Sequence, residues 1–308
     1  CAAAAAGCGF GPGSSSPGTA TLSVTRDYGS RSLVDAPESD PPASETVIRF
    51  LDRQADLTTR YGGGFVQSID GLAGAQAGGR RSDWFFYVNG VESPIGSADV
   101  RVHGGDRIWW DYRDWTAAMR VPAVVGSWPA PFAPVSSTDG VPARVECATA
   151  RTVCMDVAGR LSTAGAHAGI EPLEPSATNG ARSLRVLVGP WAAIRDDAAV
   201  GQLRGGPAAN GVFATFEGPN HGQYRLIALD QTAAPVREIG LHAGLVAAVR
   251  RGDDPATWIV TGTDAAGVVE AAGLLDEADL HDRYAVAAPV NGRPIGLPLI
   301  QALSERAP

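Results

Sequence analysis

The sequence predicts an α+β protein with two globular domains, and three observations lead to that prediction. Residues 20–120 follow the order strand, helix, strand, strand. Residues 145–308 alternate apolar strand candidates with helix candidates, as in an α/β or α+β domain. Between them, residues 121–144 carry five prolines, which prevent a continuous helix or a central strand. We therefore expect a first domain at 21–120, a proline-rich linker at 121–144 and a second domain at 145–308.

Composition narrows the classes of function. The 308 residues are 44% hydrophobic and 19% charged, which is typical of globular chains. The formal net charge of −8 disfavours nucleic acid and anionic lipid headgroups as partners. All 25 basic residues are arginine. The absence of lysine excludes a P-loop phosphate site, a Schiff base and a lysine general base.

In the first domain, hydrophobic periodicity predicts one helix among several strands. The helix is expected to start at Ser44, its candidate N-cap, and to end near Tyr61, before a run of three glycines. Its apolar face would comprise Val47, Ile48, Leu51 and Ala55. The expected strands are Thr21–Thr25, Ser30–Val34, Phe65–Ile69, Trp84–Val88 and Arg107–Tyr112.

The second domain contains apolar runs with the periodicity of strands and others with the periodicity of helices. The expected strands are Leu184–Val188, Val212–Phe216, Tyr224–Leu229 and Thr257–Val260. The expected helices are Val157–His167, Val236–Arg250 and Ala265–Leu275. Asp264 is the candidate N-cap of the last helix.

The start of the chain predicts export. The run Ala5-Ala6-Gly7-Cys8 resembles the lipobox of bacterial lipoproteins, in which the cysteine carries the lipid. Residues 1–7 would then be a remnant of the signal peptide, and residues 8–20, rich in Gly, Ser and Pro, a flexible tether. We expect an extracytoplasmic protein that contacts the membrane only through a lipid on Cys8. The alternative is a disordered Ala/Gly terminus with incidental cysteines.

The two remaining cysteines are Cys147 and Cys154. In an exported protein this spacing favours a disulfide, and the alternative is a pair of buried thiols. The five histidines lack the spacing of metal ligands, so no metal site is expected.

The segment 108–115 holds the most informative side chains. As a strand, it directs Ile108, Trp110 and Tyr112 to one face, which suits a core. The opposite face carries Trp109, Asp111, Arg113 and Trp115, which could stack on a flat ligand and hydrogen-bond to its edge. The alternative is that this face packs against the linker around Trp128. On the strand 84–88, alternation leaves open which face is core.

Three motifs carry a resemblance to a known family. They are Tyr61–Gly71, Asp83–Gly90 with its Val-Asn-Gly ending, and the tryptophan-rich Gly104–Tyr112. Over about a third of the chain they resemble the transcobalamin C-terminal-like domains. The resemblance implies a β-grasp fold, in which a sheet wraps around one helix. It also implies a role in holding cobalamin or another corrinoid. The second domain does not resemble the helical barrel of transcobalamin.

Together these features predict a lipid-anchored binding protein that serves a membrane transporter and carries no cofactor. Its expected ligand is a small, flat, polar-edged molecule, and the resemblance implies a corrinoid. The candidate ligand-binding residues are Tyr61, Gly63, Phe65, Trp84, Tyr87, Asn89, Trp109, Asp111, Arg113 and Trp115. One alternative is a structural or protein-interaction module of the cell envelope. Another is an envelope enzyme with its site in the second domain. The enzyme ranks last because lysine, clustered histidine and a nucleophile motif are missing.

Overall fold

A computed structural model describes residues 18–133, 142–174 and 184–301. Cys8 and most of the expected tether lie outside these residues, so lipid attachment stays a prediction. Within the described ranges, no helix has the length and hydropathy that a bilayer span requires.

The N-terminal unit, residues 18–120, contains a mixed main sheet, a small second sheet and one short helix. Its strands are β1 Thr19–Arg26, β2 Arg31–Ser39, β3 Leu57–Arg60, β4 Phe65–Ile69, β5 Leu72–Ala73, β6 Ala75–Ala77, β7 Arg80–Val88, β8 Val91–Glu92 and β9 Arg107–Asp114. The main sheet has the order β2-β1-β9-β7-β6, with β8 paired to β7. Strands β1 and β9 are neighbours in the middle of this sheet and run parallel to each other. Strands β3, β4 and β5 form the small sheet.

Helix α1, Val47–Asp52, packs on one face of the main sheet. Its buried side chains share a core with Ile108 and Trp110 of β9, as strand alternation predicts. The helix is shorter than expected: its N-cap is Thr46 instead of Ser44, and it ends nine residues before Tyr61. The β-branched residues Thr58 and Thr59 favour an extended backbone, and they pair with β4 instead of continuing the helix.

In the C-terminal unit, the described residues 142–174 and 184–301 form a seven-stranded sheet, a three-stranded sheet and five helices. Its strands are β10 Pro142–Cys147, β11 His167–Pro172, β12 Leu184–Pro190, β13 Ala214–Asn220, β14 Gln223–Leu229, β15 Pro235–Glu238, β16 Gly244–Val249, β17 Thr257–Gly262, β18 Ala285–Ala288 and β19 Ile295–Leu297. Its helices are α2 Arg151–Thr163, α3 Trp191–Ile194, α4 Pro207–Asn210, α5 Ala265–Gly273 and α6 Glu277–Leu280. The large sheet has the order β11-β10-β12-β17-β16-β18-β19, and β13, β14 and β15 form the small one. Short 3₁₀ turns occupy Tyr61–Gly63 and Val200–Gly205.

The two faces of the large sheet have different covers. Helices α2 and α5 pack on one face with Val186 and Val260. Leu187 and Ile259 point to the other face and share a cluster with Leu226 of β14 and with Trp109 of the N-terminal unit. Asp264 caps α5 as predicted, because its carboxylate accepts the Gly267 N–H at 2.9 Å.

The predicted disulfide is present: Cys147 at the end of β10 is bonded to Cys154 in the first turns of α2, with Cα atoms 5.9 Å apart. The bond joins a strand to the helix that covers it. The buried thiols that formed the alternative are therefore not observed.

Three predictions for the second domain need correction. The helix expected at Val236–Arg250 is wrong, because this segment forms the strands β15 and β16. All six residues of β16 are buried between β17 and β18, where an apolar strand suits both faces of the sheet. The helix expected at Val157–His167 begins earlier, at Arg151, and the strand expected at Val212–Phe216 is displaced to Ala214–Asn220.

The expected linker packs against the rest of the protein over its described part, 121–133. Val125 and Phe132 are fully buried, and Trp128 packs against Trp258 of β17 at 5.8 Å between ring centroids. Gly126 lies so close to the C-terminal unit that a Cβ there would come within 2.5 Å of the Arg283 nitrogen. This segment therefore belongs to the interface between the two units.

Candidate functional site

The predicted aromatic face is a row of cross-strand pairs between β7 and β9. Tyr87 lies opposite Trp109, Phe85 opposite Asp111, and Asp83 opposite Arg113. The row continues past the end of β9, where the Trp115 N–H donates to the Arg81 carbonyl at 2.8 Å. Its inner and outer ends have different surroundings.

Aromatic rings of the C-terminal unit cover the inner end. Trp109 is 2% exposed and lies edge-on to Tyr284 at 5.1 Å between centroids. Tyr284 also contacts the rings of Tyr28 and Tyr87, at 5.0 and 5.8 Å. Tyr28 packs edge-on against Phe213 at 5.1 Å. These contacts form one apolar cluster that continues across both units.

Asp111 lies inside this cluster, fully buried and surrounded by donors. It accepts hydrogen bonds from the Thr25 hydroxyl at 2.6 Å and the Tyr284 hydroxyl at 3.0 Å. The backbone N–H groups of Tyr28 and Gly29 donate to it at 3.1 Å each. Burial raises the pKa of Asp111, while the hydrogen bonds oppose that rise. Burial also raises the pKa of Tyr284, so its hydroxyl stays protonated and can donate a hydrogen bond to Asp111.

Arg113 is equally inaccessible. Its guanidinium lies over the Phe85 ring at 3.8 Å from the centroid and donates to the carbonyls of Ala118 and Met119 at 2.6 and 3.1 Å. Arg113 therefore supports the 115–121 loop. Trp109, Asp111 and Arg113 do not form the open ligand face that was expected, because the C-terminal unit and this loop exclude solvent from them. Trp109 does pack against the linker, as the alternative proposed: a Cβ at Gly126 would lie 2.9 Å from its indole.

Other predicted site residues are parts of the scaffold. Tyr87 is fully buried in the interface, and Trp84 points to the opposite face, where its indole donates to the Leu72 carbonyl at 2.7 Å. Asn89 shapes the turn after β7: its φ is 52°, and its side chain bonds to Asp106 and to the Arg107 N–H. Gly63 has φ 94° in the 3₁₀ turn between β3 and β4, with open space at its Cβ position.

The remaining predicted residues meet at a surface groove, here called the Trp115 groove. Its volume is about 300 Å³. Trp115 and Phe65 line it, and Tyr61 lies beside it, edge-on to Phe65 at 6.3 Å. Tyr61 is 87% exposed and Phe65 is 46% exposed. Three of the ten candidates are thus brought together on an open surface.

Polar groups complete the groove. The Arg81 guanidinium stacks on the Trp115 indole at 5.0 Å, and Arg60, Gln67 and Gln76 add donors and acceptors. Asp83 lines the same wall, and burial raises its pKa against a hydrogen bond from the Trp84 backbone. Gly74 passes so close that a Cβ there would lie 2.9 Å from the Asp83 carboxylate. The arrangement offers aromatic surfaces with both charge signs at their edges.

Sequence reasoning missed Arg60, Gln67, Gln76, Arg81 and Asp83. Strand alternation already placed Arg81 and Asp83 on the face of Phe85 and Tyr87, and that was the available signal. Gln76 comes from the neighbouring strand β6, whose pairing with β7 could not be predicted from periodicity. Among the described residues, no group of three or more His, Cys, Asp or Glu side chains could hold a metal ion.

Comparison with known proteins identifies the centre of the N-terminal unit. Residues 44–114 match a family model described as a domain of unknown function, DUF4430. That family is in the transcobalamin-like group. The match runs from the start of α1 to the end of β9 and therefore includes Phe65, Arg81 and Asp83. No curated protein matches the chain.

Proposed function

We propose that the protein binds a small, flat molecule with a polar edge in the Trp115 groove. The observation that carries the proposal is the stack of Arg81 on Trp115 beside Phe65, on an open surface. An aromatic ring of a ligand could lie against the indole or the phenyl ring while Gln67, Gln76 or Asp83 bonds to its edge. The match to a family of the transcobalamin-like group supports corrinoids as the first class to test.

The size of the groove limits what it holds. About 300 Å³ is at the lower end for ligand pockets, so the groove suits one flat ring system or one edge of a larger macrocycle. A corrinoid would therefore rest on the groove by its rim and extend over Tyr61, which lies 87% exposed beside it.

Calorimetry on the full chain tests the proposal with cyanocobalamin and a panel of flat heteroaromatic cofactors. Trp115→Ala should weaken the affinity for the binding compound by about 1–3 kcal/mol, as loss of an aromatic anchor does. Trp115→Phe keeps an aromatic surface and should lose less. Ile95→Ala removes an exposed apolar side chain outside the groove and serves as the matched control. Unchanged binding by Trp115→Ala, or no binding by any compound, would overturn the proposal.

We also propose that the protein is held outside the cytoplasmic membrane by a lipid on Cys8 and delivers its ligand to a transporter. The Cys147–Cys154 disulfide supports an oxidising compartment. Labelling the full gene product with a radioactive fatty acid tests the anchor. Cys8→Ser should abolish the label, and equal labelling of the two proteins would contradict it.

The envelope interaction module remains the second candidate. It is favoured by the exposure of Tyr61 and Phe65, whose paired rings would suit a protein partner as well as a small molecule. Crosslinking in intact cells from a photoreactive residue at position 61 distinguishes the two: an adduct with an envelope protein other than a transporter would favour the interaction module, and an adduct with a transporter or a small molecule would favour the binding protein.

A further inference from the structure

A second groove lies where the two units meet, and we call it the junction groove. Its volume is about 400 Å³. The N-terminal unit lines it with Arg26, Arg31 and Arg80, and the C-terminal unit with Gln231 and Gln301. It shares Ala75 and Ser82 with the Trp115 groove, so these residues separate the two grooves.

The charge of the junction groove is opposite in sign to that of the chain. Its three arginines face two carboxylates, Asp27 and Asp114, which leaves one excess positive charge (3 − 2) in a chain of net charge −8. Oxyanions would be attracted to this groove and repelled by most of the remaining surface.

In the ion pairs of the three arginines, the guanidinium contacts the carboxylate through Nε and not through its terminal Nη nitrogens. Arg26 and Arg80 contact their carboxylates through Nε, at 3.0 and 2.5 Å. Arg31 also approaches Asp27 through Nε, at the longer distance of 3.8 Å. A guanidinium binds oxyanions best through the fork of its N–H groups, and in these pairs the Nη nitrogens are not the contacting atoms.

The turn that carries two of these arginines has an unusual backbone. Asp27 and Tyr28 have φ values of 57° and 59°, in the left-handed region that bulky residues avoid. The buried contacts of Tyr28 with Phe213 and Tyr284 hold the turn in this conformation. Packing between the units thus fixes the turn that joins Arg26 to Arg31, which lie side by side on neighbouring strands.

We infer that the junction groove binds a small molecule carrying two or more negative charges on phosphoryl or carboxylate groups. Arg31, Arg26 and Arg80 would bind its oxygens, and the polar side chains of Gln231 and Gln301 would close the groove from the C-terminal unit. This inference does not depend on the Trp115 groove, since no aromatic stacking is involved.

Isothermal titration of the full chain with pyrophosphate and with citrate tests the site. The expected result is saturable one-to-one binding of at least one of them, weakened by added salt. Binding of pyrophosphate alone would assign the phosphoryl class, and binding of citrate alone the carboxylate class. Absence of binding by both would overturn the inference.

Variants locate the binding. Arg31→Gln should weaken anion binding about tenfold, because it removes a guanidinium that binds the oxygens of the ligand. The Arg31 side chain is 68% exposed, so the substitution should leave the fold intact. Arg225→Gln is the matched control, an exposed arginine on β14 outside the groove that pairs with the carboxylates of Glu217 and Glu238. Equal weakening by both variants would show non-specific charge attraction and contradict the site. Trp115→Ala should leave pyrophosphate and citrate binding unchanged, so failure of one groove can be told from failure of the other.

Discussion

The Tyr284 hydroxyl donates a hydrogen bond to the Asp111 carboxylate at 3.0 Å, across 173 positions of sequence and across the boundary between the two units. Tyr284 in turn lies 3.3 Å from the Tyr87 hydroxyl, so that Tyr87, Tyr284 and Asp111 form a buried chain of polar groups. A carboxylate at this depth is stable only while its donors are present. The interface between the two units is therefore held by specific hydrogen bonds as well as by apolar packing.

Tyr284→Phe should destabilise the protein by about 1.5–3 kcal/mol, the cost of losing a hydrogen bond to a buried charged group. The three donors that Asp111 keeps from Thr25, Tyr28 and Gly29 limit the loss. Urea unfolding measures the change. Tyr61→Phe removes the hydroxyl of an exposed tyrosine and should leave the unfolding free energy unchanged. Equal stability of the two variants would contradict a stabilising role for this bond.

Trp109 and Trp115 should respond in opposite ways to truncation. Trp109→Ala empties a buried site between the units and should cost about 3–5 kcal/mol of stability. Trp115→Ala removes a partly exposed indole and should leave the melting temperature nearly unchanged. Thermal unfolding of both variants checks this difference. A large loss of stability from Trp115→Ala alone would reverse the assignment of the two residues.

The disulfide should contribute about 2 kcal/mol by restricting the unfolded chain over a short loop. Replacing both Cys147 and Cys154 with alanine should lower the unfolding free energy by that amount. Urea unfolding of the oxidised protein and of the double variant gives the difference. Reducing agent should shift the first protein and not the second, and an equal shift in both would point to another cause.

His281 makes the interface sensitive to pH. Glu277, whose carboxylate lies 3.3 Å from the His281 Nδ1, raises the pKa of His281, and the nearby carboxylates of Asp282 and Asp35 act in the same direction against burial. Because the folded pKa lies above the unfolded value of about 6.5, the stabilisation is fully present below that value. It is lost as the pH rises through the folded pKa.

His281→Gln should therefore lower the melting temperature more at pH 6 than at pH 8.5. The effect should be small, because the side chain is 38% exposed and solvent screens its charge. His221→Gln, on the exposed turn between β13 and β14, is the control. A larger effect of His281→Gln at pH 8.5 would give the opposite sign and rule out a charged His281 as the cause.

Alternation in the sequence predicted the two faces of β9 correctly. It placed Trp110 with the core and Trp109 on the other side of β9, and both placements are confirmed. It could not predict what covers the second face, because the covering rings, Tyr284 and Phe213, come from distant parts of the chain. Trp115 remained a surface residue only because it lies beyond that cover.

The wrong prediction of a helix at Val236–Arg250 has a physical explanation. The last residues of this segment form a short apolar run, which fits a buried strand as well as a buried helix. The decisive fact is tertiary: Gly244 lies so close to α5 that a Cβ there would be 2.3 Å from the Gly267 carbonyl. Local sequence does not contain that contact. The periodicity of Ala265–Leu275, by contrast, was supported by the Asp264 cap and predicted a helix correctly.

The position of β1 has a consequence for how the protein can be divided. The family match starts at residue 44, whereas β1, Thr19–Arg26, lies inside the main sheet between β2 and β9. A fragment cut to residues 44–114 would leave β9 with an open edge and would uncover Trp109, although Trp110 would keep its contacts with α1. Exposed apolar edges of this kind seed intermolecular strand pairing. Such a fragment should therefore aggregate on expression, and a piece must begin before Thr19 to keep β1 paired with β9.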